Sequence, residues 1–117
     1  MIYGLNNVYQ NNKEEKNMPI TEAEIRSLAT AQSYERGEDY YYTQAVTDLQ
    51  KRGNMITADV SGSSYEPYHV TIEVSEDEII DTTCTCPYDW GGICKHIVAV
   101  LLSYVYQSDQ IEKRLSV

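Results

Sequence analysis

From Pro19 onward the spacing of apolar residues changes twice, and each change predicts a different element. Ala23, Ile25, Leu28 and Ala29 would line one face of a helix starting at Thr21. Thr21 and Glu24 there form a capping box, with Pro19 just upstream. The segment 33–42 is predicted to continue as helix, with Tyr34, Tyr41 and Ala45 on its buried side. Gly37 marks a break in it or a close packing point. The period then falls to two. Residues 46–51 lead into Gly53-Asn54, a hairpin turn signal, and Ile56, Ala58 and Val60 alternate inward beyond it. After a Gly62-Ser63-Ser64 loop, Tyr68, Val70, Ile72 and Val74 alternate again, and 78–83 makes a fourth strand after a turn at Glu76-Asp77. Such a meander has one dry face and one wet face. Helical spacing returns with Ile97, Val100, Leu101, Tyr104 and Val105, so a last helix is expected over 94–106, packed on the sheet.

The predicted fold is therefore α+β. An N-terminal helical segment precedes a four-stranded antiparallel sheet, and a turn leads into the C-terminal helix. Within 117 residues this fits one domain, expected over 19–108. The Asn-rich residues 1–18 read as a flexible tail, and 109–117 as a polar one. A chain this short builds only a modest apolar core, which a metal staple would reinforce. No apolar run is long enough to cross a bilayer, and 1–9 lacks the pattern of a secretory signal, so a cytoplasmic location is expected.

The chemistry is concentrated in one stretch. All 3 cysteines lie between Cys84 and Cys94. An odd, tight cluster beside a histidine reads as a metal site, not a disulfide scaffold. Cys84 and Cys86 are two apart at a strand end, so their thiols leave the same face. Pro87 keeps Cys86 extended, Gly91-Gly92 allows a tight reversal, and Cys94 and His96 return at the start of a helix. Four ligands of these types fit one tetrahedral Zn2+. With no position left for water, the site would be structural and not catalytic. Lys95 and the helix N-terminus both favour the thiolate forms. Three buried thiols with a core histidine, or a redox-active pair, are the readings this one displaces; neither explains the clustering.

These residues resemble the SWIM-type zinc finger: Cys-x-Cys, a spacer, then Cys-x-His in a strand–strand–helix arrangement. Here the signature falls on Cys84, Cys86, Cys94 and His96. The flanks, Cys-Thr-Cys-Pro-Tyr before the turn and Cys-Lys-His-Ile-Val-Ala-Val-Leu-Leu after it, are similar to bacterial members, as is the upstream Ser33-Tyr34-Glu35-Arg36-Gly37 with Tyr40-Tyr41. The resemblance implies a module that binds DNA or other proteins, found attached to Swi/Snf-type ATPases, Mutator-type transposases and ubiquitin-ligase-like proteins. An ATPase motif and transposase catalytic carboxylates are not recognisable in this chain, so the resemblance implies a free-standing or excised module.

Charge decides between the two kinds of partner. The net charge is −9, and no Lys or Arg lies between Arg52 and Lys95, a stretch with Asp59, Glu66, Glu73, Glu76, Asp77, Glu78, Asp81 and Asp89. Nucleic acid is bound largely by cations neutralising phosphates. A protein partner is therefore the leading expectation. The alternative is a DNA- or RNA-binding accessory module working with a Swi/Snf-type ATPase, with Arg26, Arg36, Lys51 and Arg52 as phosphate contacts. A zinc sensor or store is the third reading. Tyr88 and Trp90 are the candidate partner contacts, with shielding of the zinc as the bland role for Trp90. The 11 tyrosines read as packing residues rather than base-stacking platforms, and His69 should face solvent. No triad or working carboxylate pair emerges, so neither enzyme activity nor a small-molecule substrate is expected.

Overall fold

The computed structural model describes residues 20–76, 78–88 and 91–115, with side chains described through Gln107. The expected 1–18 tail lies outside the described residues, and so does Trp90. In chain order the elements are α1 (Glu22–Leu28), α2 (Ala31–Tyr42), β1 (Val46–Arg52), β2 (Met55–Val60), β3 (Tyr68–Ser75), β4 (Glu78–Cys84) and α3 (Lys95–Leu115). The strands form one antiparallel sheet in the order β1-β2-β3-β4. The α+β fold read from the sequence is the fold observed.

The capping box at α1 is complete. The Glu24 amide donates to Thr21 Oγ1 (3.2 Å) and the Thr21 amide donates to Glu24 Oε1 (3.0 Å). The helix then ends sooner than its pattern suggests. Ala29 and Thr30 are extended, and the Thr30 hydroxyl caps a second helix by accepting from the Ser33 amide at 3.1 Å. The Leu28 carbonyl turns outward to accept from the Ile93 amide at 3.0 Å. A tertiary hydrogen bond therefore competes with helix continuation. Only Ile25 of the expected apolar face is buried; Ala23 is exposed and Leu28 remains 39% exposed.

Gly37 is a crossing point. A Cβ there would sit 2.3 Å from Val98 Cγ1, so glycine lets α2 lie directly against α3. In the sheet, strict alternation puts Ile56, Ala58, Val60, Val70, Ile72 and Val74 on the buried face. Val98, Val100, Leu101 and Leu102 of α3 complete this core. The β1–β2 turn uses Gly53 at φ +59. Within β1 the register slips between Thr47 and Gln50, where Asp48 takes φ +54 and accepts from Gln50 Nε2 at 2.8 Å. A bulge of this kind bends an edge strand. On the opposite face His69 is exposed, as expected, and its Nδ1 lies 2.9 Å from Asp59 Oδ1. α3 runs on to Leu115, well past Tyr106 where the apolar spacing stops, so the backbone of the expected polar tail is helical through 115. Among the described residues no helix is long and apolar enough to cross a membrane.

Candidate metal centre

β4 delivers the first two thiols. Strand alternation continues past its end: Cys84 and Cys86 are half-buried and Thr85 between them is exposed. The Thr85 amide donates to the His69 carbonyl (3.1 Å), and the His69 amide donates to Thr85 Oγ1 (2.9 Å). These two bonds hold the extended path as far as Cys86 while the regular ladder stops. Pro87 cannot donate to a ladder, which explains where the strand pairing ends.

The return turn rests on backbone freedom that only glycine provides. Gly91 has φ +106 and Gly92 φ +72. A Cβ on Gly92 would also come within 2.7 Å of the Leu28 carbonyl oxygen. The turn is tied down by Tyr88, whose hydroxyl donates to the Gly91 carbonyl at 2.8 Å and accepts from Ser33 Oγ at 3.2 Å. Tyr88 is half-buried and its hydroxyl is engaged within the fold, so it braces the turn against α2. Cys94 and His96 follow, both buried, with the Cys94 carbonyl accepting from the Val98 amide in the first turn of α3.

The four side chains meet. One ligand atom from each of Cys84, Cys86, Cys94 and His96 lies within 4.8 Å of all the others. His96 Nδ1 is 3.7 Å from Cys84 Sγ and 3.8 Å from Cys94 Sγ. A tetrahedron with Zn–S near 2.3 Å and Zn–N near 2.0 Å has S···N edges of about 3.6 Å. The donor set and its spacing therefore fit one zinc ion with Nδ1 as the imidazole ligand.

Proton positions in the cluster point the same way. Cys94 is pulled down to about 4, first by the hydrogen bond it accepts from the Cys84 thiol and further by one from His96, against the effect of burial. Cys84 is pushed up, because its proton is shared with Cys94 and because it is buried. Cys86 is pushed up mainly by burial. Three crowded sulfurs thus hold one negative charge by themselves, and a dication is what lets all three be thiolates.

The model of the SWIM zinc finger family matches residues 68–105. This chain carries a SWIM zinc finger. Curated proteins and solved structures gave no match. Cys84, Cys86, Cys94 and His96, the residues singled out in the sequence, are positioned to bind one zinc ion. When bound, the ion supplies charge and a cross-link between β4 and α3; a filled four-ligand shell leaves it no open position for a substrate.

Two features of the SWIM finger were not legible in the sequence. The ring of Tyr68 stacks on His96 (4.3 Å between centroids, 29°), and Tyr40 meets it edge-on (5.3 Å, 82°). His96 Nε2 is buried without a hydrogen-bond partner among the described residues. Ligating histidines are usually oriented by an acceptor at the second nitrogen; here two aromatic rings from β3 and α2 hold the imidazole. The sequence contained a weak signal for Tyr68, which falls on the apolar face of its strand, and for Tyr40 only its place in the upstream segment that resembles bacterial members.

Proposed function

We propose that this chain is a non-enzymatic adaptor whose zinc finger presents a rigid surface to a protein partner. The observation that carries this reading is the charge distribution around the finger. From Gly53 to Cys94, across β2, β3, β4 and the zinc turn, there is no Lys or Arg. Favourable contact with a polyphosphate needs several cations on one surface. The module we assign to this role spans 19–108, between the flanking segments 1–18 and 109–117. A reducing, cytoplasmic setting suits three thiolates held by zinc. Trp90, two residues after Tyr88 in sequence, is the proposed contact residue, with Tyr88 beside it in the chain.

A binding titration against DNA and RNA at low and moderate salt tests the reading. Weak binding that vanishes with modest salt is expected. Useful affinity with a steep salt slope would overturn it in favour of the nucleic-acid module working with a Swi/Snf-type ATPase.

A further inference from the structure

We infer that the cleft beside the zinc cluster is a seat for the carboxylates of a short acidic segment on the partner protein. The inference rests on the protein-partner reading above and adds where that partner binds and what it carries. The cleft encloses about 590 Å3. A single ion fills a small part of that, whereas pockets of roughly 300–1,000 Å3 take small ligands or the side chains of a partner. Its wall runs from the first turns of α2 through Cys86, Pro87 and Tyr88 to the start of α3, and among the described residues it includes Arg36 and Lys95 but no Asp or Glu.

That charge pattern is unlike the rest of the molecule. Among residues 20–107 the cations are Arg26, Arg36, Lys51, Arg52 and Lys95, and two of these five border the one cleft. Neither has a carboxylate partner among the described residues. Lys95 has only the face of the Tyr40 ring, with Nζ 5.5 Å from its centroid, and Arg36 is exposed with its guanidinium unengaged. The other cations are occupied or distant: Arg26 lies over the Tyr34 ring, and Lys51 donates to the Gly53 carbonyl in the β1–β2 turn. A guanidinium fork matches a carboxylate with two parallel hydrogen bonds, and an ammonium beside it adds a point charge. Gln32 and Ser63 on the same wall offer further polar groups. Two cations suit one or two carboxylates. A nucleic-acid strand would need a longer run of them.

The test uses the zinc-loaded full chain, a short polyglutamate peptide and a thymidine oligonucleotide of similar length. Amide chemical shifts are followed during titration. The peptide is expected to shift residues 30–36, 63 and 94–96. Arg36→Glu should weaken that binding by about tenfold, the factor expected for losing one well-formed charge pair. Arg36 is exposed and remote in sequence from every zinc ligand, so its variant should keep its zinc; Arg36→Gln should give a smaller loss. Shifts confined to Lys51 and Arg52, or unchanged binding by zinc-loaded Arg36→Glu, would overturn the cleft assignment while leaving a protein partner standing. Tighter binding of the oligonucleotide at the same residues would overturn both.

Discussion

The molecule is held together differently at its two ends. Between the sheet and α3, stability comes from burial: Ile56, Val60, Val70, Ile72, Val98, Leu101 and Leu102 are almost fully removed from solvent. At the other end, two half-buried thiols at a strand terminus, two glycines with positive φ and a buried imidazole between two aromatic rings meet where the regular strand ladder has stopped. Zinc does there what side-chain packing does in the core. The difference teaches that the metal is local in position but not in effect, because the zinc turn also carries the Leu28–Ile93 hydrogen bond and the Ser33–Tyr88–Gly91 bridge to the helices.

Chelation should produce the largest change. Structural zinc contributes on the order of 10 kcal/mol of apparent binding energy in small fingers, comparable with the whole stability of a domain. Hydrogen exchange on the metal-free chain should show residues 84–96 deprotected first, with β2 and β3 amides retained longer. Simultaneous loss of both would mean that core and zinc end are one cooperative unit. Cys94→Ser should act like chelation and lose about one zinc per chain in metal analysis.

Leu101→Ala should cost roughly 2–5 kcal/mol in denaturant unfolding, and by a similar amount with zinc or without it. Cys94→Ser, by contrast, should cost much more where zinc is present than where it is not. Equal effects of Cys94→Ser in both states would erase the distinction drawn between the two ends.

Acidity sharpens the comparison further. Cys94 is depressed, so its contribution is present above the ordinary thiol range and lost as pH falls through about 4. Cys84 and Cys86 are raised, so in the metal-free chain their contributions are lost as pH rises past the ordinary thiol value. Zinc holds all three as thiolates and removes that high-pH loss. The stability gap between zinc-loaded and metal-free protein should therefore widen with rising pH in parallel melts, while the cost of Leu101→Ala should not move.

Gly92→Ala should cost about 1–3 kcal/mol, since it meets both a positive φ and the Leu28 carbonyl. The smallest effect expected is that of Tyr88→Phe, about 1 kcal/mol for its bridging hydroxyl. Faster zinc transfer to a competing chelator in Tyr88→Phe would show that the brace steadies the metal; an unchanged rate would confine it to the turn.

Much of this protein was settled by its sequence. Period-two runs on either side of Gly53-Asn54 specify paired strands because a pleated backbone sends alternate side chains to opposite faces, and Ile56, Ala58, Val60, Val70 and Ile72 are buried accordingly. The four ligands were legible for a related reason: the strand geometry that aims Cys84 and Cys86 together and the turn that returns Cys94 and His96 are both local. What depended on distant parts of the chain was not. The break between α1 and α2 arises because a zinc-turn amide, 65 residues from Leu28 in sequence, takes its carbonyl. The aromatic setting of His96 needs Tyr40 and Tyr68 from two different elements. The cleft with Arg36 and Lys95 on one wall exists only once α2 and α3 cross at Gly37 and Val98. Spacing along a chain encodes which way neighbouring side chains point; which surfaces then meet is decided by the packing of whole elements.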